Sequence, residues 1–207
     1  MNQLRSTFNN CIVVLMAITL LSCQQNLTYK YSDKEEVFNC ASVNTALYSE
    51  ALYAFEDYIL EHYVANPPNT PSQAYAFYWE IAVRDLMPAL ELIDDHMIQI
   101  IEVLKKDETL WTETNGQISL NPEHPLLTCI QENMINDNSK EVLKNLLETK
   151  TFRPEIFKTH IGYQGKNLIN DKALATYFAL NNFYAKVLNV DFNTIERKTS
   201  NSVQNLE

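Results

Sequence analysis

From Ala76 onward the apolar residues Ala76, Trp79, Val83, Leu86, Leu90, Ile93, Met97, Ile100 and Leu104 recur at alternating steps of three and four. That spacing keeps one face of an α-helix apolar. Immediately upstream, Thr70-Pro71-Ser72-Gln73 supplies a helix start, with Thr at the cap, Pro in the first turn and Gln completing a capping box. Pro88 lies inside the run, where it removes the bond to the Arg84 carbonyl and disfavours a straight helix by about 3 kcal/mol. Because the heptad phase is unchanged across Pro88, the pattern predicts one kinked helix of about 35 residues, near 50 Å long by helix rise.

Helical spacing recurs through most of the remaining chain. A first helix is predicted from Ala41 or Ser42 to Ala65, carrying Tyr48, Leu52, Phe55, Ile59 and Tyr63, and stopped by Asn66-Pro67-Pro68. Further signals begin at Asn121-Pro122, at Ser139 with Val142, Leu143, Leu146 and Leu147, and at Arg153-Pro154 through His160. A last helix runs from Asp171 through Asn189, with Leu174, Tyr177, Phe178, Leu180, Tyr184 and Leu188 on its apolar side. The stretch Leu110–Leu120 instead alternates around a central Asn115-Gly116, which fits either a small β-hairpin or a polar loop. The expected fold is therefore all-α, an irregular helical bundle with a long kinked helix and at most one small β-hairpin.

Composition removes several function classes. The chain has three glycines, Gly116, Gly162 and Gly165, too few for a dinucleotide-binding fingerprint. Around Gly165-Lys166-Asn167, His160 stands where a phosphate loop needs its first glycine, and Asn167 replaces the magnesium-binding Ser or Thr. The net charge is −10, and Lys and Arg are scattered along the chain, so nucleic acid is not an expected partner.

The N-terminus carries an address. Met1-Asn2-Gln3-Leu4-Arg5 has one positive side chain, and the 11 residues Cys11–Leu21 that follow are largely apolar. As a helix that apolar stretch spans about 16 Å, half of a bilayer core, which suits a signal peptide and not a transmembrane span. It ends in Leu20-Leu21-Ser22-Cys23, which resembles the lipobox of bacterial lipoproteins. The resemblance implies diacylglycerol on the Cys23 thiol, cleavage between Ser22 and Cys23, and acylation of the new α-amine. A plain secretory signal with an incidental cysteine is the competing reading. Gln24 is not the aspartate that retains some such lipoproteins in the inner membrane, so the resemblance favours the outer membrane, facing the periplasm. Residues 1–22 are thus read as a lipoprotein signal peptide, 23–38 as a tether, 39–192 as a single helical domain and 193–207 as a flexible tail.

With Cys11 in the signal and Cys23 acylated, Cys40 and Cys129 remain. In an oxidising compartment they form either a disulfide or two separate buried thiols. The histidines, His62, His96, His124 and His160, form no zinc-hydrolase or di-iron motif. Glu91, Asp94, Asp95, His96 and Glu102 read as a solvated helix face in preference to a metal site, and Glu80 with Arg84 as an i,i+4 pair in preference to catalysis. No nucleophile elbow is present, and no cofactor or metal is expected. Tyr48, Phe55, Tyr58, Tyr75, Tyr78 and Trp79 form either core or an aromatic ligand groove. The reading is a membrane-anchored envelope lipoprotein with a binding or assembly domain, no evident catalysis and an envelope protein as partner. The alternative is a glycan or small-molecule binding module built on the aromatic cluster.

Overall fold

A computed structural model of the chain describes residues 27–63, 70–163 and 168–197. The lipobox, the stop at Asn66-Pro67-Pro68, the Gly165-Lys166-Asn167 stretch and the last ten residues lie outside the described residues. The described chain is mostly helical: α1 (Thr45–His62), α2 (Pro71–Val83), α3 (Asp95–Lys105), a hairpin of β1 (Trp111–Thr114) and β2 (Gln117–Leu120), α4 (Pro125–Asn133), α5 (Asp137–Glu148), α6 (Pro154–Tyr163) and α7 (Lys172–Ala179). Beyond α7 the helix continues through one wide π-helical turn, Leu180–Tyr184, into Ala185–Val187.

Short polar side chains start these helices. Asn44, Asp94, Asn136 and Asp171 each accept the backbone N–H three residues on, from Leu47, Met97, Ser139 and Leu174. Thr70 and Gln73 form the expected capping box with Pro71 in the first turn. The helix α1 is buried without a break from Leu47 to Phe55 and again at Tyr58 and Ile59, the signature of a helix surrounded by others. It packs against α2, α3 and α7, while α7 reaches on to α4, and α5 and α6 extend the bundle from there.

The long helix expected between Ala76 and Leu104 is broken, not kinked. The helix α2 ends at Val83 because Asp85 takes a left-handed conformation, φ 55°, and reverses the chain. Leu86 N–H donates to Ile81 O across 3.1 Å and Asp85 N–H to Ala82 O across 3.3 Å, the paired bonds that close a helix C-terminus. Lys158 donates to Ala82 O, Lys186 donates to Leu86 O across 3.0 Å, and Lys186 pairs with Asp85 at 2.8 Å. After Pro88 the chain is held to α1, with Ala89 N–H donating to Tyr63 Oη across 2.9 Å and Tyr58 Oη to Ala89 O across 3.0 Å. The expected seam is not one face either: Ala76, Val83 and Leu86 are exposed and α2 buries Ala74, Tyr75, Tyr78 and Ala82 instead, while Ile93, Met97, Ile100 and Leu104 are buried as expected.

The domain begins earlier than the sequence suggests. Residues from Leu27 to Phe38 do not form a free tether: Tyr31 and Phe38 are buried in the core, and Lys30 and Tyr31 N–H groups donate to Glu50 across 2.6 and 3.1 Å. Glu50 is 1% exposed, and His96 Nε2 donates to it across 2.7 Å. The presumed tail also stays on the domain at first, since Ile195 packs on the core and Arg197 pairs with Asp95. Cys40 and Cys129, 89 residues apart, are joined in a disulfide with Cα atoms 6.1 Å apart.

Two stability changes follow. The Glu50→Gln substitution replaces one accepting oxygen with a donor facing three donors, so it should lower unfolding free energy by about 2–3 kcal/mol. Urea denaturation measures this, and residues 27–38 should become protease-sensitive first. Removing both disulfide cysteines should lower stability by at most about 4–5 kcal/mol, the chain-entropy value for so long a loop. Alkylation of the denatured, unreduced protein should leave Cys40 and Cys129 unlabelled.

Candidate functional site

The aromatic cluster is core. Tyr48, Phe55, Tyr58, Tyr75 and Tyr78 are all buried, and of these five only Tyr58 borders a hollow, a small one over α1 and α3. Phe55 meets Tyr78 edge-on at 5.0 Å, the geometry that aromatic quadrupoles favour, and Phe183 in a tilted contact at 5.5 Å. The hydroxyls are used internally, Tyr75 on Glu56 at 2.9 Å, Tyr78 on Asn182 O at 3.1 Å and Tyr184 on Ala51 O at 2.8 Å. Burial raises the phenols of Tyr75, Tyr78 and Tyr184 well above their ordinary value, which keeps them protonated near neutral pH.

Trp79 is the exception, only partly buried and set at the edge of a cleft of about 1510 Å³. One wall is apolar and comes from the end of α2, with Trp79, Val83 and Met87; Val83 and Met87 are 50% and 51% exposed. The hairpin lines the cleft as well. Its turn residues Asn115 and Gly116 have φ values of 53° and 79°, the paired left-handed conformations of a tight two-residue turn. Pairing of Thr112 with Ser119 and of Thr114 with Gln117 puts these four polar side chains on one face, and all four line the cleft. On the other face Leu120 is buried and the Trp111 indole N–H donates to Leu104 O across 2.9 Å, docking the hairpin.

The floor is the last helix, contributing Asn181, Asn182, Lys186 and Asn189. Its wide π turn is held from both sides of the cleft: Asn181 accepts Leu120 N–H across 3.3 Å, and Asn182 O accepts the Tyr78 hydroxyl. Such turns insert a residue and re-aim the side chains around it. Phe152, Arg153 and the α6 residues Glu155, Lys158, Thr159 and Gly162 complete the cleft.

Its charges cancel. Asp85, Glu123 and Glu155 face Arg153, Lys158 and Lys186. The hydrogen bond from Lys186 holds the Asp85 carboxyl below its ordinary range, and burial pushes the Lys158 ammonium down, with repulsion from Lys186 adding to it. Both lysines grip carbonyl oxygens at the end of α2, so they hold the apolar wall in place.

A second, smaller hollow of about 280 Å³ lies over α1 and α3, lined by Lys30, Tyr31, Asp57, Asp94 and His96 among others. Its polar groups satisfy one another: the Tyr31 hydroxyl donates to Asp57 across 2.6 Å, and His96 reaches Glu50. The acidic face noted on this stretch is therefore divided, with His96 turned to Glu50, Asp94 capping α3 and Asp95 paired with Arg197. Among the described residues no group of three or more metal-ligating side chains converges. Glu80 and Arg84 form an exposed i,i+4 contact at 3.4 Å.

The alternation of Thr112, Thr114, Gln117 and Ser119 about Asn-Gly was the one sequence signal of the cleft. Nothing in the sequence placed it in one cleft with Trp79. That placement depends on Gly162, where an added Cβ would collide with the six-membered ring of Trp79, and on Phe178, which stacks on the indole at 5.8 Å. Gly162→Ala should lower stability by about 1–3 kcal/mol through overpacking and shift the tryptophan emission. Unchanged thermal unfolding and unchanged emission together would show that the two residues are not in close contact.

Comparison with protein-family models, with curated proteins and with solved structures finds no match to this chain, so the functional argument rests on the cleft and the N-terminal segment.

Proposed function

We propose that this chain is a lipoprotein of the bacterial envelope, anchored through Cys23 at the outer membrane and facing the periplasm, and that its helical domain works by binding. The observation that carries the binding half is the cleft between Trp79 and the hairpin, about 1510 Å³, larger than the roughly 300–1,000 Å³ of common small-molecule sites. Asp85, Lys158 and Lys186 hold the walls together, while the exposed Glu123, Arg153 and Glu155 line the opening alongside amides, hydroxyls and apolar side chains. That inventory suits recognition better than proton transfer or nucleophilic attack.

The anchoring half rests on Leu20-Leu21-Ser22-Cys23 and the apolar run before it. Among the described residues no helix is long and apolar enough to cross a membrane. A disulfide between Cys40 and Cys129 fits an oxidising compartment. Leu27 already packs against the core and lies four residues after Cys23, a reach of at most about 14 Å of extended chain. An anchor at Cys23 would therefore hold the domain against the membrane surface, where several acyl chains give durable attachment.

In cells fed labelled palmitate, the wild-type chain should incorporate label and fractionate with the outer membrane, and Cys23→Ala should do neither. Equal labelling of the two proteins would overturn the anchor.

A further inference from the structure

We propose that the cleft between α2, the hairpin and the last helix binds a neutral oligosaccharide. The inference rests on the binding reading above and names the ligand class. Charge is the first discriminator. The chain carries −10 overall, yet the cleft has three acidic and three basic side chains, with Lys186 on Asp85 and Leu86 O, and Lys158 on Ala82 O. A polyanion meets no free cationic row here, and a polycation no acidic one.

The second discriminator is the kind of hydrogen bonding offered. Thr112, Thr114, Gln117 and Ser119 share one hairpin face, about 5 Å apart across the strands and about 7 Å along them. Hydroxyl and amide groups both donate and accept, which matches sugar hydroxyls, themselves donors and acceptors in every direction. These groups share the cleft with the turn residues Asn115 and Gly116 and with Ile118 and Leu120 of the other hairpin face.

The third is the apolar wall. Trp79, Val83 and Met87 line the same cleft as the polar hairpin residues, giving a C–H-binding surface and a hydroxyl-binding surface. A pyranose ring has both. Among the described residues no hydrogen bond engages the Trp79 indole N–H, while the ring itself is fixed by Phe178 and Gly162. The rigid indole adds contact area without loss of conformational freedom. A cleft of about 1510 Å³ exceeds what a single metabolite fills and accommodates several linked rings.

The test uses the full-length lipoprotein in a detergent without a sugar headgroup, applied to an array of neutral oligosaccharides, acidic oligosaccharides and unstructured peptides. Hits are titrated calorimetrically against wild type and the Thr114→Ala/Gln117→Ala double variant, both positions being exposed, with circular dichroism confirming that the variant folds. The proposal expects neutral oligosaccharides to be retained, tryptophan emission to change on binding, and the double variant to bind on the order of tenfold more weakly. Retention of acidic glycans or peptides instead, weakened by the same substitutions, would overturn the sugar assignment and leave the binding reading standing. Neutral-sugar binding that the double variant leaves unchanged would overturn this cleft as the site. Retention of nothing on the array would overturn the sugar proposal and remove the cleft's support for the binding reading.

Discussion

A carboxylate inside the central helix organises one side of this molecule. Glu50 sits on α1 between buried neighbours, where an unpaired charge would be destabilising by several kcal/mol. Its two oxygens instead accept the backbone N–H groups of Lys30 and Tyr31 and the ring N–H of His96. Three separate segments are thereby brought to one point: the chain entering the domain, the middle of α1 and the first turn of α3. Tyr31, placed by this contact, lies edge-on to His96 and donates its hydroxyl to Asp57, about two turns further along α1. Residues 27–38 are consequently a structural part of the domain.

The other side of the molecule depends on how α2 ends. A long helix running through residues 84–94 would lead the chain away from the position where Lys158 and Lys186 now cap its carbonyls. The left-handed Asp85 turns the chain, and the two lysines satisfy carbonyls that helix termination would otherwise leave without partners. The same turn leaves Val83 and Met87 facing the cleft. The π turn opposite them, tied to Tyr78 and to the hairpin through Asn182 and Asn181, sets the cleft floor. Helix ending, π turn and hairpin are thus coupled through the residues that line one opening.

Much of the secondary structure was legible because its signals are local. Thr70-Pro71-Ser72-Gln73 started a helix as read, Asp171 opened the last helix, and Asn115-Gly116 made the tight turn that left a hairpin and a loop both open. The three-and-four spacing of Tyr48, Leu52, Phe55 and Ile59 correctly marked a buried face, but burial on one side and a groove lining look alike in sequence. Packing of α2 and α7 around α1 decided for core. Pro88 signalled a disturbance, yet whether the helix bends or stops depended on Lys158 and Lys186, more than 70 positions away.

By itself, the sequence determined the all-α class, the helix starts, the turn of the hairpin and the export-like N-terminal pattern, since caps, turn residues and apolar periodicity act over a few neighbouring residues. Only the tertiary structure decided that residues 27–38 belong to the domain, that Cys40 meets Cys129, and that Trp79 and the hairpin line one cleft. Each of these requires groups far apart in the chain to satisfy one another's hydrogen bonds, sulfur geometry or packing volume, and such partners carry no fixed spacing.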